Sequence, residues 1–201
     1  MGDLGSRRGH VLERGLTTLR RVPAIVIPYR GDAKRRVSSP LRAALAVAML
    51  GDVIEAALPV GRVLVVTDDA SVVPRGVEVV ADPGRGLGAA VEAGLSPLDG
   101  HALVVNADLP AATPESLQRL ADSALALVEA RDGTTNALSL PDPRVFAPLY
   151  GPQSADRFRT HAAFATASIP ELEADVDSET DLERLAGRLG RRTRALLAVH
   201  A

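Results

Sequence analysis

The sequence predicts an α/β protein: a mainly parallel central sheet flanked by helices. Three observations predict it. Short, continuous apolar runs recur along the chain, as strands buried on both faces require. Segments with helical spacing alternate with them, which makes parallel βαβ pairing the natural arrangement. Each run ends in proline, glycine or aspartate, so chemistry-bearing residues collect just beyond the strands' carboxyl ends, where open α/β sheets bind ligands.

The first run is Ala24-Ile25-Val26-Ile27-Pro28, followed by the basic loop Tyr29-Arg30-Gly31-Asp32-Ala33-Lys34-Arg35-Arg36. Ser39-Pro40 reads as an N-cap and first helical residue, opening a helix to about Ala57 with Leu41, Leu45, Ala48 and Met49 on one face. Arg62 to Thr67 is a second buried strand. Val77 to Ala81 is a third, ending at Asp82-Pro83-Gly84-Arg85-Gly86-Leu87-Gly88. A small-residue helix from Ala89 to Leu95 leads to a strand from Ala102 to Asn106, and Thr113-Pro114-Glu115 starts another helix. Beyond Arg131 the pattern loosens. Asn136 to Leu140 and Val145 to Tyr150 read as shorter, antiparallel strands, Gly151-Pro152-Gln153-Ser154 opens a helix to about Ala165, and an acid-rich segment from Ala174 to Leu182 precedes a last helical stretch.

Composition bounds the function. The 201 residues are 46% hydrophobic and 24% charged, which suits one folded domain over 22–201, behind a basic and flexible N-terminal extension, 1–21. Aromatics are 2% with no Trp, and the net charge is −2; neither suits nucleic-acid stacking or attraction to anionic membranes, so nucleic-acid and membrane partners are not expected. With no Cys there is no disulfide or thiolate chemistry. No apolar run reaches the roughly 20 residues of a membrane span, and the N-terminus lacks a signal peptide's apolar region, so a cytoplasmic location is expected. The match of Met1-Gly2 and Ser6 to a myristoylation pattern is read as chance. No stripe marks an oligomer interface separable from core.

Four groups are candidates for chemistry. Arg30, Lys34, Arg35 and Arg36 suit a polyphosphate, or form a solvated charge run. Gly84, Gly86 and Gly88 lie in a turn that satisfies G-x-G-x-x-A, with Asp108 about 20 residues on. A dinucleotide-binding oxidoreductase would explain that match, but the turn follows the third strand and leaves the basic loop idle. Asp108, just past a strand's end, joins Asp175 and Asp177, which face the same way if extended; together they suit Mg²⁺, while Asp177 to Thr180 also reads as a plain helix start. Gly151 to Ser154 offers backbone N–H groups and an outward hydroxyl to an anion, or simply starts a helix well.

Together these pieces resemble the CofC/FbiD family, the guanylyltransferases of coenzyme F-420 biosynthesis, within the nucleotide-diphospho-sugar transferase (GT-A-like) fold. The resemblance runs from about Val22 to Leu189. It is carried by Ile27-Pro28 through Ala33-Lys34 with Arg36; Gly86-Leu87; Ala107-Asp108-Leu109-Pro110; Thr135-Asn136-Ala137-Leu138; Gly151 with Ser154 and Phe158; and Asp175-Val176-Asp177 before Asp181-Leu182. It implies that Arg30, Lys34 and Arg36 hold the GTP phosphates, with Lys34, Arg36 and Asp108 catalytic. It also implies that the Gly84, Gly86 and Gly88 turn lies by the guanosine, that Asp108, Asp175 and Asp177 hold Mg²⁺, and that Thr135, Asn136, Gly151 and Ser154 receive a small phosphorylated carboxylic acid. The family's Pro-Val-Lys and Gly-Leu-Asn read Pro28-Tyr29-Arg30 and Gly86-Leu87-Gly88 here. A molybdenum-cofactor guanylyltransferase, a sugar-phosphate nucleotidyltransferase and a non-catalytic nucleotide-binding relative are the alternatives.

Overall fold

The computed structural model describes residues 22–31 and 41–200. The extension to Arg21, Lys34 with its basic neighbours Arg35 and Arg36, and the expected helix start at Ser39-Pro40 lie outside the described residues. Seven strands form one sheet: β1 (Ala24–Pro28), β2 (Arg62–Thr67), β3 (Glu78–Ala81), β4 (Ala102–Val105), β5 (Ala126–Glu129), β6 (Thr135–Leu140) and β7 (Ala165–Thr166). Their order is β3-β2-β1-β4-β6-β5-β7. Pairing is parallel except at β6, which runs against both β4 and β5. The helices are α1 (Arg42–Ala57), α2 (Leu87–Leu95), α3 (Pro114–Ala121), α4 (Ser154–His161), α5 (Pro170–Glu173), α6 (Glu179–Leu185) and α7 (Arg191–Val199).

The apolar runs are continuous because both sheet faces are covered. Ile25, Ile27, Val63, Val65, Leu103 and Val105 point to one face, where they pack with Leu50, Val53 and Ile54 of α1 and Leu117 and Leu120 of α3. The alternate residues Val26, Leu64, Val66 and Val104 point to the other, against Ala90, Val91 and Leu95 of α2 and Phe158 of α4. A third, smaller cluster joins Leu45 and Met49 of α1 to Ala111, Ala174, Val176, Leu185 and Leu189. It seats the acid-rich segment beside the exit of β4. Chain order reverses around β1: the path moves outward to β2 and β3, then crosses to β4 on the other side. That switch point leaves a crevice beyond the carboxyl ends of β1 and β4.

Three of the expected elements come out differently. Val145 to Tyr150 forms no strand: residues Pro143–Val145 make a 3₁₀ turn, and the segment after it lies outside the sheet. Pro143 and Pro148 supply no ladder N–H, and the rings of Phe146 and Tyr150 pack on Phe158 instead, with Tyr150 edge-on at 5.5 Å between centroids. The helix from Ser154 stops at His161, not near Ala165, because Ala162 turns extended and Ala165–Thr166 pairs with β5. The last helical stretch is two helices, α6 and α7, separated at residues 186–190.

Asp52, in the middle of α1, is 4% exposed and caps α7 from outside that helix. Its carboxylate accepts from the backbone N–H groups of Arg192 (2.8 Å) and Thr193 (3.0 Å), satisfying orphan donors where the helix dipole is positive. Gly190 permits the approach, since a Cβ there would lie 2.2 Å from Asp52 Cγ. Asp52→Ala is expected to cost about 2 kcal/mol, lowering the melting temperature by roughly 4–8 °C. An unchanged melting curve would show that α7 is held by its apolar contacts alone.

Candidate active site

Asp108 is fixed from both sides. Asn106 donates its backbone N–H to the Asn136 carbonyl at 3.0 Å and its side-chain Nδ2 to the Thr135 carbonyl at 3.2 Å, tying the end of β4 to the start of β6. On the other flank, Val176 donates its N–H to the carbonyl of Asp108 at 3.1 Å. Residues 174–177 lie in neither helix nor strand; Ala174 and Val176 are buried in the third cluster, and the alternating Asp175 and Asp177 each bring a carboxylate oxygen near Asp108. One carboxylate oxygen from each of Asp108, Asp175 and Asp177 lies within 4.8 Å of the others, and all three residues are half-buried. The two distant segments therefore do meet.

Three carboxylates set this close repel one another. A divalent cation relieves that repulsion, and an all-oxygen donor set suits Mg²⁺, which takes carboxylates together with phosphate oxygens and water. The donors present fit such an ion. Asp181, four residues on, serves a different end. Burial pushes its carboxyl up, but hydrogen bonds from the Ser178 hydroxyl and the N–H groups of Asp177 and Ser178, with Arg184 nearby, hold it below its ordinary value. It closes the capping box of α6 and fixes the backbone behind Asp177.

The expected acceptor residues gather at the same sheet edge, since Val105 pairs with Ala137 and so brings Thr135 and Asn136 beside the exit of β4. Asn136 is 2% exposed and donates Nδ2 to the Leu172 carbonyl at 3.0 Å. Ser154 is fully buried, and its hydroxyl, expected to point outward, donates inward to Thr135 Oγ1 at 3.0 Å. A first-turn hydroxyl with a partner in an adjacent strand gains more from that bond than from water. The preceding turn is tight: Gly151 has φ 121° and Gln153 holds φ 56°, an uncommon value for a residue with a side chain.

The glycine turn lies across β2 from Arg30. Gly86 caps α2 with φ 98° and offers no side-chain cap. A Cβ at Gly88 would lie 2.6 Å from the Cβ of Pro148, so the ring of Pro148 takes the space that a larger residue at 88 would need. This turn opens α2 after β3 rather than after the first strand, unlike a dinucleotide fingerprint. Arg30, at the exit of β1, places Nε 3.6 Å from Asp82 Oδ2. Tyr29 beside it is buried, and burial, then Asp69 and Asp68, raises its hydroxyl above the ordinary value; it stays neutral.

The family model described as "Guanylyl transferase CofC like" matches residues 23–163. This chain belongs to that family. A phosphoenolpyruvate guanylyltransferase of Geodermatophilus obscurus is 40% identical over 76% of this chain and 78% of its own length. A 2-phospho-L-lactate guanylyltransferase of Natrialba magadii is 32% identical over 79% and 80%. Among solved structures, a Desulfovibrio desulfuricans protein assigned as a nucleotide-diphospho-sugar transferase superposes with TM-score 0.65 at 17% identity, covering 88% of this chain and 94% of its own. A Methanothermobacter nucleotidyl transferase does so with TM-score 0.63 at 19% identity, covering 89% and 99%. The fold is that of the nucleotide-diphospho-sugar transferases, and the protein is a nucleotidyltransferase enzyme.

In this CofC-like enzyme the structure adds residues to which the sequence reading gave no role. Asp82, its side chain 4% exposed, accepts from the N–H of Gly84 at 2.8 Å while facing Arg30, so one carboxylate shapes the glycine turn and orients the cation. Its signal was the Asp-Pro-Gly order, a turn motif that says nothing about a partner two strands away. Asn106 ties β6 to β4 through its side chain, and no spacing in the sequence indicates that pairing. Among the described residues, no helix is long and apolar enough to cross a membrane.

Proposed function

We propose that this CofC-like enzyme transfers the guanylyl group of GTP to phosphoenolpyruvate, releasing pyrophosphate, in a Mg²⁺-dependent reaction of coenzyme F-420 biosynthesis. The observation that carries the reading is the meeting of Asp108, Asp175 and Asp177 at the switch point of the sheet. The relative at 40% identity is named for phosphoenolpyruvate, which supports the first acceptor, although relatives named for either acid overlap at 32–34%.

The chemistry needs no covalent enzyme intermediate. A phosphate oxygen of the acceptor attacks the α-phosphorus, the bond from that phosphorus to the β-phosphate oxygen breaks, and pyrophosphate leaves with the electron pair. Asp108, Asp175 and Asp177 would hold the metal, which when bound would neutralise charge on the phosphates. Arg30, oriented by Asp82, neutralises phosphate charge from the exit of β1, and Lys34 and Arg36 do so from the basic loop. Thr135, Asn136, Gly151 and Ser154 shape the acceptor's seat. Pyrophosphate release should stop with chelator and return with added Mg²⁺; release that survives chelation refutes the metal assignment. Ser154→Ala should raise the acceptor KM about tenfold with little change in the GTP KM, through loss of the hydroxyl that orients Thr135. An effect confined to GTP would refute that placement.

A further inference from the structure

The two arginines of α4 have opposite surroundings. Arg159 is fully engaged: its guanidinium pairs with Glu129, pairs with Asp156 at 2.8 Å and donates to Thr166 Oγ1 at 3.0 Å. Arg157 is exposed, and its side chain has no ion pair or hydrogen bond among the described residues. Side chains on a helix lean toward its N-terminus, and this one lies back over the turn that opens α4. Its Nη2 stands 3.2 Å from where a Cβ of Gly151 would be, so the side chain that Gly151 lacks leaves the guanidinium its room. Gly151 and Ser154 belong to the seat proposed for the acceptor, and that seat carries no charge. The Ser154 hydroxyl already donates to Thr135 Oγ1, and Asn136 Nδ2 to the Leu172 carbonyl. A phosphorylated carboxylic acid brings a carboxylate and a phosphate of about −1.5 to −2. Neutral groups bonded within the protein leave much of that charge uncompensated.

We propose that Arg157 binds the carboxylate of the acceptor; this rests on the acceptor being a phospho-acid. The two ends of such a molecule have different requirements. Its phosphate must reach the α-phosphorus beside Asp108, Asp175 and Asp177, which leaves the carboxylate at the end remote from them. The bonded path from the exit of β4 runs from Asn106 to Thr135 and from Thr135 to Ser154, and Arg157 stands one turn further along α4. A planar guanidinium offers a carboxylate two parallel N–H donors, and it keeps its charge at any working pH. With no ion pair to break among the described residues, Arg157 can turn to the acceptor at little cost.

The test compares phosphoenolpyruvate with its carboxyl methyl ester on the unaltered enzyme, Arg157→Gln and Arg157→Lys, by calorimetric binding in Mg²⁺ and then by pyrophosphate release from GTP. The position is exposed, so the fold is retained. Arg157→Gln should bind phosphoenolpyruvate about 30-fold more weakly, with the GTP KM unchanged. Arg157→Lys, a point charge without the fork, should recover part of the loss. The ester has no carboxylate to lose, so it should bind the unaltered enzyme and Arg157→Gln alike. Unchanged affinity for phosphoenolpyruvate in Arg157→Gln overturns the proposal and leaves the reaction standing. Equal losses for acid and ester would put Arg157 on the phosphate or in a structural role, and overturn it as well. If the unaltered enzyme binds the acid without releasing pyrophosphate, the proposed reaction fails, and the comparison of acid with ester still decides the role of Arg157. An unaltered enzyme that binds neither acid nor ester overturns both.

Discussion

Asp108→Asn is expected to lower the turnover of guanylyl transfer about a thousandfold or more, since metal-assisted charge stabilisation is worth several kcal/mol and each 1.4 kcal/mol is about tenfold in rate. The substitution keeps the shape of the side chain and touches no apolar packing. It removes one of three carboxylates lying within 4.8 Å of one another, so like-charge repulsion in the metal-free protein falls. The stabilisation that Mg²⁺ gives the unaltered protein should shrink in the variant. Loss of activity with loss of fold would assign Asp108 a structural role. Unchanged turnover in a folded variant would remove it from the reaction.

Gly94→Val is expected to produce the largest loss of stability. Gly94 lies on the face of α2 that meets the sheet, and a Cβ there would stand 2.5 Å from Val26 Cγ1 and 2.7 Å from Val66 Cγ2. Both valines are fully buried in β1 and β2, with no free space into which to rotate. Adding a branched side chain forces α2 off the sheet, at a cost of about 3 kcal/mol, or a fall in melting temperature of roughly 6–12 °C. Because α2 also carries the glycine turn, nucleotide affinity should fall with it. A variant that melts within a degree or two of the unaltered protein would mean that α2 is seated loosely.

Much of the sheet was legible because its signals are local. The runs at Ala24–Pro28 and Arg62–Thr67 have the same bounds in sequence and structure, since burial on both faces leaves no polar interruption to blur them. Thr113-Pro114-Glu115 did start a helix, with Thr113 as its cap. Ala126–Glu129 was not foreseen as a strand. Its Ala-Leu-Val-Glu sequence suits a helix as well, and only pairing with β6 and β7 makes it β5. Val145 to Tyr150 misled in the opposite sense, for its apolar residues serve aromatic packing on Phe158 rather than a ladder.

The candidate site divides in the same way. Asp175 and Asp177 were legible as a same-face pair through their two-residue spacing, and their meeting with Asp108 follows once Val176 is buried between them. What the sequence could not reveal is long-range pairing between polar groups. The bond from Ser154 to Thr135, the reach of Asp82 to Arg30 and the tie from Asn106 to β6 each join residues far apart in the chain, and each turns a side chain to a partner that only the fold supplies.

The central claim is most directly tested by measuring pyrophosphate release from GTP in Mg²⁺ with phosphoenolpyruvate and with 2-phospho-L-lactate, each alone, the product being trapped by a downstream transferase. The account predicts release that depends on both metal and acceptor, is faster with phosphoenolpyruvate, and is lost in Asp108→Asn. Bound GTP with no release in the presence of either acid would contradict it.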